Sequence, residues 1–119
     1  MNKSENILPI SSATRAGSLV FVSGQGGLNP HTGEVVGDSL EVQVKQTMEN
    51  IRAILIDNDL TFDHVKKANI YLAKREHYIE FNRIYAQYFT KQFPARTTIY
   101  CELNYDLLVE IDVIAQHDC

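Results

Sequence analysis

The order of strand-like and helix-like segments predicts an α+β fold, β-β-α-β-α-β-β, in which a mixed sheet carries two helices on one face. Three observations predict it. Short β-branched and aromatic runs alternate with two longer stretches whose apolar residues recur every three or four positions. Gly, Pro, Asn and Asp punctuate the boundaries. The two helical stretches suffice to cover one face of a sheet. At 119 residues the chain fits one domain, 1–119, long enough to bury roughly two thirds of the surface its unfolded form exposes.

Each element has its own signal. A first strand is placed at Ile10–Ala16 and a second over Ser18–Gly24, "SLVFVSG", with Gly24 as its end. The Asn-Pro and Thr-Gly turns of "GGLNPHTGEVVGD" then give a hairpin-like excursion. Asp38 with Glu41 has capping-box spacing, and Leu40, Val44, Met48, Ile51 and Leu55 follow at helical intervals. This helix runs to Asp57, with Asn58 suited to a left-handed terminal position. "HVKKANIYLA" is the next strand, and from His77 a second helix places Tyr78, Phe81, Tyr85, Tyr88 and Phe89 on one face until Phe93-Pro94 stops it. The final strands, Thr97–Leu103 and Leu107–Ala115, read as a hairpin across Asn104-Tyr105-Asp106.

The last strand is apolar on both sides. Leu107, Val109, Ile111 and Val113 point one way, while Leu108 and Ile114 share the other with Glu110 and Asp112. With no further element to cover that second face, the expected cover is another copy of the chain.

Composition excludes several function classes. A net charge of −4 with eleven scattered Lys and Arg residues argues against a nucleic-acid surface. No run is long enough to span a bilayer, and Met1–Leu8 lacks the apolar core of a signal peptide, so the expected compartment is the cytoplasm. Cys101 and Cys119 show no disulfide pattern, and His31, His64, His77 and His117 have no metal-ligand spacing and read as surface residues. "SGQGG", Ser23–Gly27, fails the dinucleotide fingerprint, since Asn29 stands where the third glycine should be. It reads as a turn that brings backbone close to a ligand or simply as a turn. The aromatic stripe coincides with a packing face and reads as core rather than as a base-stacking platform.

Two charged residues stand out. Arg96, at the entrance of an apolar strand behind Pro94-Ala95, either reaches solvent along its stem or offers a planar fork to a carboxylate. Glu110, in the most apolar segment of the chain, is either half of an ion pair or a group that orients or deprotonates a water. The hairpin reading sets the two on neighbouring strands. Asp112, two residues along the same face, reads as a solvated or interfacial partner.

Taken together, "RAGSLVFVSGQ", "FNRIYAQYF", "FPARTTI" and "VEIDVIA" resemble the Rid/YjgF family of reactive intermediate deaminases over nearly the whole chain. The resemblance implies a chorismate-mutase-like fold, a homotrimer with sites in the clefts between subunits, and no cofactor or metal. It implies hydrolysis of enamines and imines such as 2-aminoacrylate to 2-oxo acids and ammonia. On that likeness Arg96 binds the substrate carboxylate and Glu110 positions the attacking water. Ser23 and Gly24 match the site wall, and Asn82 the cleft-facing asparagine of the second helix. Thr98 stands where cysteine is usual and where the backbone carbonyl meets the imine nitrogen. Ile10, in "LPIS", replaces the usual pocket tyrosine, and the loop "ELNYD" is one residue shorter than its counterpart. The loss of that hydroxyl motivates an alternative, a ligand-binding or regulatory module without turnover.

Overall fold

The computed structural model describes residues 8–118. Five strands, β1 (Ala13–Ala16), β2 (Leu19–Gly26), β3 (Val65–Leu72), β4 (Ala95–Tyr100) and β5 (Val109–Gln116), form one sheet in the order β1-β2-β5-β3-β4. Helices α1 (Leu40–Asp57) and α2 (Tyr78–Ala86) follow β2 and β3 in the chain, and 3₁₀ turns at Phe62–His64 and Arg75–His77 lead into β3 and α2. All strand pairs are antiparallel except β3 with β4.

The expected element order holds, but the expected β4–β5 hairpin does not form. After β3, the chain passes through α2 and returns to the starting end of β3, which makes β4 its parallel neighbour. Segment Cys101–Leu108 then carries the chain past β3, and β5 enters between β2 and β3. Burial explains the choice. β5 alternates buried and half-buried residues along its length and suits a central slot, whereas Thr97, Ile99 and Tyr100 leave β4 exposed at the edge.

Local boundaries also differ from expectation. β1 is shorter than Ile10–Ala16, because only Ala13–Ala16 meets the register of β2. β2 continues through Gly24 to Gly26, with a shift of register between Val22 and Gln25 that marks a bulge at Ser23-Gly24. Ser39, not Asp38, caps α1: its hydroxyl accepts from the Val42 N–H. At the other end Asp59, not Asn58, takes the left-handed conformation (φ 61°). Its N–H donates to Ile56 and that of Leu60 to Leu55, a Schellman ending in which the buried Leu55 and Leu60 are the two apolar partners. α2 ends at Ala86, well before Pro94, so Tyr88 and Phe89 pack against the core from the segment that follows it.

The core lies between the helices and one sheet face. Val44, Met48, Ile51 and Leu55 of α1 and Phe81 and Ile84 of α2 are buried with Val20, Ala68, Ile70, Leu72, Val109 and Ile111 of the sheet. Each of those side chains except Ala68 is worth about 1.5–3 kcal/mol in transfer from water. Among the described residues nothing covers the opposite sheet face. Phe21 and Ile99 are exposed there, and Ile114, Glu110 and Asp112 are half-buried.

Candidate active site

Register separates the two principal candidates. Arg96 pairs with Ala68, which pairs with Val113, and both partners are buried under the helices. Glu110 pairs with Tyr71, which pairs with Ile99, and these belong to the uncovered face. Arg96 and Glu110 therefore lie on opposite faces, with β3 between their strands. The expected cross-strand contact within one chain is absent because the hairpin that would create it is absent.

Each candidate instead heads its own cluster. On the helix side, Arg96 Nη2 donates to Asn82 Oδ1 at 2.6 Å and Nε to Thr98 Oγ1 at 2.8 Å. The guanidinium carbon sits 5.6, 5.2 and 5.1 Å from the ring centroids of Tyr78, Phe81 and Tyr85. Such contacts are worth about 0.5–2 kcal/mol each and hold the planar group in place. Nη1 makes no hydrogen bond to protein among the described residues, so one edge of the fork stays free for an anion. Beside it Asn82, Tyr85, Ala86, Phe93 and Pro94 complete a cleft of about 400 Å³. Burial pushes the Tyr85 phenol up to about 12, with the Arg96 charge opposing, so it remains a neutral hydroxyl.

The periodicity that assigns the aromatic stripe to the core does not reveal this second use. Phe81 and Tyr85 are buried, yet with the exposed Tyr78 they also wall Arg96. The signal was available: Tyr78, Phe81, Asn82 and Tyr85 share one helix face at spacings of three and four.

On the open face, Glu110 lies against the bulge of β2. A methyl group added at Gly24 would run into the Glu110 carboxylate, so glycine is needed there for close approach rather than for a turn. Ser23 donates from its hydroxyl to the Ser11 carbonyl, and its N–H donates to the Ser12 carbonyl. Ile10, one residue from Ser11, is 64% exposed. Burial, and after it the charge of Asp112, pushes the Glu110 carboxyl above the usual carboxylate range. The structure thus gathers Arg96, Asn82 and Thr98 in one group and Ser23, Gly24 and Glu110, with the Ile10 segment, in another.

The histidines are not simply surface residues. His64, His77 and His117 are half-buried, and His64 Nδ1 accepts from the Thr61 N–H in the capping box of the turn before β3. Among the described residues no three His, Cys, Asp or Glu side chains are placed to share a metal ion, and no helix is long and apolar enough to cross a membrane. Cys119 lies outside the described residues.

Known proteins match this chain over most of its length. It is 46% identical over 99 residues to AldR of Lactococcus lactis, covering 82% of this chain and 79% of that one. It is 39% identical over 108 residues to Reactive Intermediate Deaminase A, chloroplastic, of Arabidopsis thaliana, covering 90% and 58%. The solved structure of E. coli TdcF with bound serine superposes with a TM-score of 0.88 at 28% identity, covering 94% and 91%. A family model described as Endoribonuclease L-PSP matches residues 2–117. With that match and these relatives, the chain belongs to the Rid/YjgF family.

Proposed function

We propose that the protein is a cofactor-independent deaminase that hydrolyses small reactive 2-imino acids, the tautomers of enamines such as 2-aminoacrylate, to 2-oxo acids and ammonia. Its site is completed between copies of a homotrimer. The observation that carries the reading is the Arg96 fork, fixed along one edge by Asn82 and Thr98, walled by three rings and free along the other edge. A planar carboxylate is the ligand that geometry fits. The similarity to a reactive intermediate deaminase supports the chemistry.

The separation of the two clusters supports a shared site, since the Glu110 of one copy can meet the substrate only from another copy's side. Arg96 holds the substrate carboxylate, and the Thr98 segment faces its nitrogen. Glu110 takes a proton from water as the water oxygen bonds to the imine carbon, and the C=N electron pair moves to nitrogen. That proton then passes to nitrogen to give the carbinolamine, and the carbinol hydroxyl's proton moves to nitrogen as the C–N bond breaks, so that ammonia leaves and the ketone remains. An iminium carbon is already electrophilic, so holding and aligning the reactants supplies most of what the step needs.

The test generates 2-aminoacrylate with a serine dehydratase and follows its decay. The wild-type protein accelerates the loss. A charged hydrogen bond is worth about 1.5–3 kcal/mol, so Arg96→Ala lowers kcat/KM by about 10- to 150-fold. Glu110→Gln lowers kcat while leaving affinity for a 2-oxo acid near normal. A wild-type rate equal to that in buffer sinks the reading. Ile10 favours a second reading, a binding module without turnover, because a hydroxyl is missing where the resemblance calls for one; 2-oxobutyrate binding with no turnover of any imine would select it. The RNA cleavage in the family model's description draws no support from a net charge of −4.

A further inference from the structure

Asp112 occupies the uncovered sheet face two residues from Glu110 on β5. Its Oδ1 accepts from Asn69 Nδ2 at 2.8 Å and its Oδ2 from the Tyr71 hydroxyl at 3.0 Å, both donors coming from β3. Acceptance at both oxygens is the arrangement of a carboxylate, since a carboxylic acid would donate from one of them. Both donors are neutral, and no Lys, Arg or His forms a salt bridge with Asp112 among the described residues. The charge is thus seated by hydrogen bonds and left uncompensated.

We propose that Asp112, seated by Asn69 and Tyr71, is a positioning residue that acts through Glu110, its fixed negative charge making the neighbouring carboxylate a stronger acceptor for the proton of the attacking water. Side chains two apart on a strand share a face at about 7 Å, close enough for one carboxylate to act on another across a half-buried surface. Few other titratable groups face Glu110. β3 contributes Tyr71, its register partner, and further along Lys67, whose ammonium is engaged by Thr97. β2 contributes Gly24, which has no titratable group, and the segment after β4 contributes Cys101 on the Tyr71 side. Asp112 is therefore the only other carboxylate on β5 and the nearest charge in the chain sequence.

The consequence for turnover rests on the role of Glu110 proposed above, whereas the electrostatic coupling can be read without activity. The experiment titrates the carboxyl carbons of ¹³C-glutamate-labelled intact protein by NMR, with the Glu110 signal assigned from its loss in Glu110→Gln. Asp112→Asn removes the charge at nearly constant shape, and Asp112→Ser gives the same sign should the first variant fail to fold. The Glu110 midpoint moves to lower pH in either variant, and the acidic limb of the kcat/KM profile moves down with it. Tyr71→Phe, which leaves the Asp112 charge in place, shifts the midpoint less. A midpoint that stays put or rises when Asp112 is neutralised overturns the proposal. A midpoint that falls in a protein that turns over no imine supports the coupling and refutes the deaminase reading instead.

Discussion

Gly24 shows how little space separates the β2 bulge from the carboxyl it faces. An added methyl cannot coexist with the present Glu110 side chain, and the three nearest atoms it would meet all belong to that flexible side chain. Gly24→Ala therefore displaces Glu110 rather than the sheet. The expected outcome is a melting temperature within a few degrees of wild type, by circular dichroism, together with a fall of at least about tenfold in kcat, since small misplacements of a reacting group cost that much or more. A large drop in melting temperature would show that the backbone yields instead. Arg96 and Glu110 were legible as residues because a charge in an apolar strand has to be answered by something. Their surroundings were less legible: which face each occupies depends on a strand order that pattern alone does not encode, and the rings around Arg96 have the same periodicity as ordinary core.

At the scale of elements, α1 does more than cover the sheet. Gln43 is fully buried; its Oε1 accepts from the Leu108 N–H at 2.7 Å and its Nε2 donates to the Gly37 carbonyl at 2.8 Å. It joins the entrance of α1 to the entrance of β5, the strand that carries Glu110. Asn50, two turns on, donates to the Gly26 and Leu28 carbonyls. Gln43→Leu keeps the volume but leaves the N–H of half-buried Leu108 without its partner, a loss of about 1–3 kcal/mol, while the exposed Gly37 carbonyl can turn to water. Urea denaturation should show a loss of about 1–3 kcal/mol, and an unchanged midpoint would deny the clamp its role. Helix spacing revealed Leu40, Val44, Met48, Ile51 and Leu55, whereas Gln43 was invisible because a glutamine on a helix normally reads as solvent-facing. The hairpin error has a related origin. Two adjacent strand patterns separated by a short polar segment suggest direct pairing, and nothing local distinguishes that from a crossing past a third strand.

For the whole molecule, the proposed shared site makes a prediction that neither residue nor element can supply. Co-expression of Arg96→Ala and Glu110→Gln chains with different tags gives mixed oligomers. In each site the Arg96 donor is intact half the time and so, independently, is the Glu110 donor. Mixed assemblies should then regain about a quarter of wild-type activity although each variant alone is impaired. Mixtures no more active than their components would show that both groups act from one chain. The uncovered face, with Phe21 and Ile99 exposed beside Ile114, gives the copies a reason to associate in the first place.

The position of β5 bears on how the chain comes into being. Val109–Gln116 is the last strand in chain order, yet it fills the middle of the sheet, pairing with β2 on one side and β3 on the other. As the ribosome delivers the polypeptide, β1–β2 and β3–β4 can exist only as two pairs with an unfilled gap between them. The sheet closes when that segment emerges, so the strand bearing Glu110 is also the one on which the fold waits.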